Sequence, residues 1–103
     1  MQDGYLRQVT EKRLMLFSGG GYPELGVRIA DRLDIDLGRV DLPRFSGGEM
    51  YARYLDSVRG ADVFIVQSLG EPVNRNLMQL LIMIDAAKRA SAKRITAVIP
   101  WYA

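Results

Sequence analysis

The stretch DVFIVQ, residues 62–67, decides the fold of this chain. Its four central residues are aromatic or β-branched, and a compact apolar run of this length predicts a strand buried on both faces. Strands of this kind belong to parallel sheets that carry helices on each side. We therefore predict an α/β domain.

Further strands and helices lie on either side of this stretch. Upstream, the apolar run Leu14–Phe17 predicts a strand, and Pro23 opens a helix that Gly38 closes. Downstream, Pro72 opens a second helix, and Ile95–Ile99 predicts a last buried strand. The apolar positions of the second helix are Leu77, Leu80, Leu81, Ile84 and Ala87.

A hairpin is predicted between the first helix and DVFIVQ. Its strands are Val40–Phe45 and Met50–Leu55, joined through Ser46, Gly47 and Gly48. The order strand, helix, hairpin, strand, helix, strand predicts a mainly parallel sheet with flanking helices and one hairpin. We expect residues 1–12 to form a leader and residues 13–103 one domain, incomplete where a loop should follow the last strand.

The composition excludes several classes of function. Without cysteine or histidine, there is no disulfide framework, Ser-His-Asp triad or histidine zinc site. A net charge of +2 does not indicate binding to nucleic acid or to a membrane surface. The longest strongly apolar run is too short to span a bilayer, and the N-terminus lacks the apolar segment of a secretory signal. We expect a cytoplasmic protein.

Two glycine runs compete as ligand sites. Gly19–Gly21 lies between a strand and a helix, as phosphate loops do, but lacks their lysine and hydroxyl, which favours a tight turn. The stretch RFSGGE, residues 44–49, could instead place Phe45 on a nucleobase and Glu49 on an exocyclic amine. The alternative is a plain hairpin with Phe45 packed into the core.

The remaining candidates favour structural roles. The basic set at the end of the second helix could attract phosphate, but it is more typical of a solvated helix end. The aspartates near the end of the first helix could hold a hard cation, but their irregular spacing fits no calcium loop and favours a surface turn. Two methionines are expected in the core, and two asparagines at a helix start. The basic residues are Lys88, Arg89, Lys93 and Arg94, and the aspartates are Asp31, Asp34 and Asp36. The methionines are Met78 and Met83, and the asparagines are Asn74 and Asn76.

Three long segments of the chain resemble one known family. They are LMLFSGGGYPEL (14–25), RFSGGEMYARYLDSVRGADVFIVQS (44–68) and PVNRNLMQLLIMIDAAKRASAKRITAVIP (72–100). In order and spacing they are similar to the N-terminal part of ribose-phosphate pyrophosphokinase, or PRPP synthetase. The resemblance implies a phosphoribosyltransferase-like fold for residues 13–103.

The resemblance also implies an activity. The family transfers the β,γ-diphosphate of ATP to the 1-hydroxyl of ribose 5-phosphate with Mg²⁺, giving PRPP and AMP. Positioning and charge neutralisation dominate such transfers, which suits a chain without covalent catalytic groups. The implied partners are ATP, ribose 5-phosphate and further copies, as dimers that form a hexamer. The catalytic residues and most metal ligands would lie downstream, so this chain alone would be inactive.

Site residues follow from the resemblance position by position. RFSGGE is similar to the hairpin that holds the adenine of ATP across a dimer. Phe45, Gly47, Gly48 and Glu49 are the implied ATP-binding residues. The implied regulatory residues, for phosphate or ADP, are Ser57, Arg59, Ala90 and Ser91.

One position departs from the family pattern and keeps other hypotheses open. Gly47 stands where family members usually have Asp or Asn, so a side chain expected to recognise adenine is missing. A non-catalytic regulatory or assembly subunit is therefore an alternative. A stand-alone nucleotide-binding module is a third.

Overall fold

The computed structural model describes residues 13–43 and 50–100, and its elements follow the predicted order. In these two ranges the strands are β1 (Leu14–Ser18), β2 (Val40–Asp41), β3 (Arg53–Tyr54), β4 (Asp62–Val66) and β5 (Arg94–Val98), and the helices are α1 (Pro23–Leu33) and α2 (Val73–Arg89).

The main sheet is parallel and has β4 at its centre. β1 pairs with one edge of β4, in a register that places Phe17 beside Ile65, and β5 pairs with the other edge. β2 and β3 form a separate antiparallel pair, with Val40 opposite Tyr54. The predicted parallel sheet and the antiparallel pairing of the hairpin are confirmed. Within the described residues β2 and β3 have two residues each, where the sequence predicted strands over Val40–Phe45 and Met50–Leu55.

Alternate residues of β4 face two different cores, because successive side chains in a strand point to opposite faces. Val63 and Ile65 are fully buried on the α2 side, together with Leu80 and Met83. Val66 is buried on the α1 side with Leu16 and Ala30. The expectation that DVFIVQ is covered on both faces is therefore confirmed.

Helix α1 begins as predicted at Pro23 but ends earlier than Gly38. Its C-cap is Asp34, which adopts the left-handed conformation at φ 55° and donates its amide to Ala30 and Asp31. An aspartate tolerates that conformation better than most residues, so no glycine is needed. Gly38 has another role: its amide donates to the carbonyl of Leu16 at 2.7 Å, and a Cβ there would overlap the ring of Phe17.

The face that α2 buries differs in part from the predicted one. Leu80 and Ala87 are buried, but Leu77 and Leu81 are 40% and 51% exposed. The buried stripe is Asn76, Leu80, Met83 and Ala87. The apolar pattern did not predict which face of α2 is buried, because apolar residues lie on more than one side of this helix.

One single-residue expectation on α2 was also wrong. Met78, expected in the core with Met83, is half exposed because it lies outside the buried stripe. Asn76 lies in the first turn of α2, as expected, but it is only 6% exposed, and its side-chain amide donates to the carbonyl of Gly70 at 2.8 Å. Across residues 13–43 and 50–100, no helix has the length and apolarity needed to cross a membrane.

The contact between Gly38 and Phe17 gives a stability prediction. Gly38→Ala forces a methyl group into the ring of a fully buried phenylalanine, and overpacking of this kind costs roughly 1–3 kcal/mol. We expect a lower urea midpoint for Gly38→Ala. Gly20→Ala is the control, because a Cβ there meets only the end of the Gln79 side chain. Equal midpoints for the two variants would contradict this packing.

Candidate functional site

A cleft of about 610 Å³ opens at the carboxyl edge of the sheet. It lies between the end of β1, the start of α2 and the segment Val40–Pro43. In open α/β sheets, ligands bind beyond the carboxyl ends of the strands. The cleft therefore occupies the part of this fold where a ligand is expected.

The glycine turn beside this cleft is held by two glutamine side chains. The amide of Gly20 donates to Oε1 of Gln79 at 2.7 Å, and the amide of Gly21 donates to Oε1 of Gln67 at 2.9 Å. Gln67, only 1% exposed, donates its Nε2 to the carbonyl of Asn76 at 3.0 Å and to Oε1 of Gln79 at 2.9 Å. The network binds the turn to α2.

This network identifies Gly19–Gly21 as the tight turn that the sequence favoured over a phosphate cradle. A phosphate loop presents free amides to its ligand, whereas the amides of Gly20 and Gly21 already have acceptors. Gly19 is glycine for a steric reason, since a Cβ there would collide with Gln67. The turn therefore orders the edge of the cleft without offering it an anion site.

An ion pair closes the base of the hairpin. Nε and Nη2 of Arg39 donate to Oδ1 of Asp56 at 3.1 and 2.7 Å, and the Arg39 amide donates to Oδ2 at 2.8 Å. The Leu55 amide donates to the Arg39 carbonyl at 2.9 Å. The hydrogen bonds from Arg39 hold the pKa of the Asp56 carboxyl below its usual range. Three charge-assisted bonds fix the two chain segments that enter and leave the hairpin.

Tyr54 anchors the same hairpin to α2. Its hydroxyl donates to the carbonyl of Met83 at 2.7 Å, and its ring meets Phe17 edge-on with centroids 4.7 Å apart. Burial raises the pKa of this phenol well above its ordinary value. The base of the hairpin therefore has a fixed position on the domain.

The predicted ATP-binding residues lie outside the described residues. Phe45, Gly47, Gly48 and Glu49 all fall within residues 44–49. Their assignment stays a prediction, and so does the choice between a base-stacking and a core-packed Phe45. The structure describes the two segments that carry this stretch, up to Pro43 and from Met50.

The predicted regulatory residues come together at the opposite, amino edge of the sheet. Ser57 and Arg59 belong to the turn that enters β4, and Ala90 and Ser91 to the turn between α2 and β5. The Gly60 amide donates to the Ser91 carbonyl at 2.9 Å and joins the two turns. Residues more than 30 positions apart in the sequence therefore form one surface, although their binding role stays a prediction.

Ser91 has an unusual backbone conformation. α2 ends in a Schellman motif, in which the amides of Ser91 and Ala92 donate to the carbonyls of Lys88 and Ala87 at 3.0 and 3.1 Å. Ser91 holds the left-handed position of that motif at φ 67°, where glycine is usual. A side chain kept at this position against its conformational preference is consistent with a use for the hydroxyl.

Basic side chains concentrate at this amino edge. Arg13, Arg59, Lys93 and Arg94 are all exposed there. Nη1 of Arg94 lies 4.0 Å from Oδ2 of Asp62, a loose pair. Such a surface attracts anions. At the C-terminal end of α2, Arg89 pairs with Asp85 at 2.9 Å, as a solvated helix end does.

Sequence reasoning missed several residues that organise both regions. Gln67 had one signal, a polar residue directly after a buried strand. Arg39 and Asp56 had none, because the pair joins positions 17 apart and depends on the hairpin register. Asp31, Asp34 and Asp36, considered for a cation, are exposed. Within the described ranges no three acidic side chains stand close enough to hold a metal.

Comparisons with known proteins agree on one family. The profile of the N-terminal domain of ribose phosphate pyrophosphokinase matches residues 14–103. A ribose-phosphate pyrophosphokinase from Clostridium perfringens is 56% identical over 91 residues, which are 88% of this chain and 28% of that protein. The crystal structure of phosphoribosylpyrophosphate synthetase from Mycobacterium smegmatis is 49% identical, with a TM-score of 0.84 over 88% of this chain and 30% of that one.

A more distant match concerns the fold alone. A hypoxanthine phosphoribosyltransferase from Staphylococcus aureus is 16% identical, with a TM-score of 0.61 over 94% of this chain and 56% of that one. The predicted phosphoribosyltransferase-like fold is therefore confirmed. This chain spans about a quarter of the length of the curated relatives it matches.

The ion pair at the hairpin base gives a pH prediction. Because the folded-state pKa of Asp56 lies below its unfolded value, the pair stabilises the fold above about pH 4. This contribution disappears as the pH falls through the folded-state pKa. Asp56→Asn should therefore lower the urea midpoint at pH 7, with a difference from the original chain that shrinks towards pH 3.

A matched control is Asp41→Asn, since the Asp41 carboxylate lies 3.7 Å from Arg53 in an exposed pair. Both pairs are largely exposed, but Asp56 accepts three short hydrogen bonds from Arg39 while Asp41 makes one long contact, so we expect a smaller effect at pH 7. A midpoint difference for Asp56→Asn that stays constant from pH 7 to pH 3 would contradict the role of the ion pair.

Proposed function

Since this chain belongs to the ribose-phosphate pyrophosphokinase family, we propose that it acts as the N-terminal domain of a ribose-phosphate diphosphokinase subunit. The whole subunit transfers the β,γ-diphosphate of ATP to the 1-hydroxyl of ribose 5-phosphate and releases AMP, in the service of nucleotide biosynthesis. The observation that carries this proposal is the family match over residues 14–103.

In this proposal the domain contributes adenine binding. Phe45 stacks on the base, an interaction worth roughly 1–3 kcal/mol, and Glu49 lies against its polar edge. Gly47 and Gly48 shape the turn between them. The rigid hairpin base, held by Arg39 and Asp56, supports this role, because a hairpin that reaches towards a partner must leave the domain at a fixed angle.

Magnesium accompanies ATP, with its ligands mostly outside this chain. The described residues offer no cluster of acidic side chains for it, so we assign no step of the transfer to a metal bound here. Positioning and charge neutralisation dominate phosphoryl transfer, and the groups that supply them belong to the remaining part of the subunit. No residue of this chain is assigned a catalytic role.

The proposed regulatory site takes phosphate or ADP at the amino edge of the sheet. Ser57, Arg59 and Ser91 supply hydroxyl and guanidinium donors, and Ala90 lies beside them. The joined turns and the left-handed Ser91 support this assignment. Arginine and hydroxyl donors in one surface suit an oxyanion.

We place the subunit in the cytoplasm and in a homo-oligomer of dimers that form a hexamer. A hairpin that crosses to a second subunit completes the adenine site only when two copies meet. Exposed apolar side chains on α2 support a contact of this kind, because such patches often mark interfaces. They are Leu77, Met78 and Leu81.

One observation favours a second candidate function. Gly47 removes a side chain that the family usually has at the adenine site. A non-catalytic subunit could lose this side chain and still join the assembly through the same surfaces. In the family, an acidic loop further along the subunit binds ribose 5-phosphate. The gene sequence beyond Ala103 therefore separates the two functions: an intact acidic loop supports the enzyme, and a degraded one supports the regulator.

The activity of this chain alone is directly testable. We expect no PRPP from ATP, ribose 5-phosphate and magnesium, because the chain spans only about a quarter of its relatives. A full-length bacterial relative serves as the positive control. Calorimetry with ATP should show very weak binding, since one copy lacks the partner's hairpin. PRPP formation above the level of the heat-denatured chain would contradict the proposal that the catalytic groups belong to the remaining part of the subunit.

Ser91 gives a second prediction, about stability. Ser91→Gly relieves the left-handed strain and should raise the free energy of unfolding by about 1 kcal/mol in urea titrations. Ala90→Gly is the control, because Ala90 has an ordinary negative φ and glycine there should destabilise. A decrease in stability for Ser91→Gly would contradict the strain assigned to this position.

A further inference from the structure

Arg13, the residue before β1, contacts the turn that enters β4. Its Nη2 donates to the carbonyl oxygens of Ser57 at 3.3 Å and Arg59 at 3.2 Å. The backbone of Arg13 takes part as well, because its carbonyl accepts the amide of Asp62 at 2.7 Å. One residue therefore holds both the turn and the start of the strand that follows it.

The remaining bonds of the turn lock it from the other side. The Ala61 amide donates to the Val58 carbonyl at 2.9 Å, and the Gly60 amide donates to Ser91. The Val58 side chain is 1% exposed and belongs to the core. Three successive carbonyls, those of Ser57, Val58 and Arg59, thus have donors within the domain.

This arrangement has an electrostatic consequence. Carbonyl oxygens carry negative partial charge and would repel an anion near the turn. With two of them bonded to a guanidinium, the side chains of Ser57 and Arg59 can meet an anion without that repulsion. Arginine suits this position, because its guanidinium is always charged and its long side chain brings Nη2 within reach of both carbonyl oxygens.

We infer that Arg13 is a positioning residue for an oxyanion site formed by Ser57, Arg59 and Ser91. It holds the carbonyls of the turn away from the anion and does not touch the anion itself. The inference rests on the proposed regulatory site. It adds to that site a residue from the N-terminal part of the domain, 44 positions before Ser57.

The competing explanation is that Arg13 only adds positive charge to this edge. Lysine separates the two roles. Arg13→Lys keeps the charge, but its side chain ends short of the position that Nη2 occupies, so its ammonium does not reach both carbonyl oxygens. Arg13→Met removes charge and donors while keeping an unbranched apolar stem.

The experiment is a titration of the full 103-residue chain with inorganic phosphate, followed by amide chemical shifts at constant ionic strength. In the original chain, the Ser57, Arg59 and Ser91 amides should shift with phosphate. Arg13→Lys should weaken phosphate binding about fivefold, the effect of one lost hydrogen bond, and Arg13→Met, which loses both bonds and the charge, should weaken it at least as much. The Gly60 amide should also exchange faster with solvent in both variants, even without phosphate.

Arg28→Met is the control, because it removes the same charge from the exposed surface of α1. We expect its phosphate affinity to stay within about twofold of the original chain. Urea midpoints verify that each variant is folded.

The outcomes separate this inference from the proposed function. If the original chain shows no phosphate-dependent shifts at these residues, both the regulatory site and the role of Arg13 are wrong. If it binds phosphate and Arg13→Lys binds equally well with unchanged Gly60 exchange, the site stands and the positioning role is overturned.

Discussion

The burial of β4 on both faces is the constraint on which the rest of this structure depends. Val63 and Ile65 enter the core under α2, and Val66 enters the core under α1. A slip of one residue in the pairing with β1 or β5 would exchange the two faces. Because the register is fixed in this way, the residues just before and just after β4 have fixed positions too.

The fixed register of β4 places two regions of different chemistry at the two ends of this strand. The carboxyl end of β4 leads into Gln67, whose amide group holds the glycine turn and the start of α2 beside the cleft. The amino end of β4 follows the turn that contains Ser57 and Arg59, and hydrogen bonds to Arg13 and Ser91 fix that turn. Five residues of extended strand separate the ends by roughly 16 Å. Asp56, at the hairpin base, directly precedes Ser57, so a short stretch of backbone connects the hairpin to the amino edge.

The sequence predicted those parts of the fold in which local pattern and tertiary environment agree. DVFIVQ and Pro23 gave the central strand and the start of α1, because a doubly buried strand is continuously apolar and proline suits a first helical turn. The buried face of α2 was predicted only in part. Leu77 and Leu81 are as apolar as Leu80, and only the sheet determines which of them it covers.

The candidate site was less predictable, for a related reason. Arg39 with Asp56, and Arg13 with the turn after Ser57, are pairs of ordinary charged or polar groups far apart in the sequence. No spacing rule connects them before the sheet is assembled. Family resemblance supplied Ser57, Arg59 and Ser91 instead, and the structure brings their two turns together.

The most direct test of the central claim is to graft this chain in place of the matching segment of a full-length bacterial relative and to measure PRPP formation by the purified, oligomeric chimera. Our account predicts PRPP from ATP and ribose 5-phosphate, with activity that falls when Phe45 or Glu49 is replaced by alanine. A folded chimera of the correct oligomeric state that forms no PRPP would contradict the claim that this domain belongs to a synthetase.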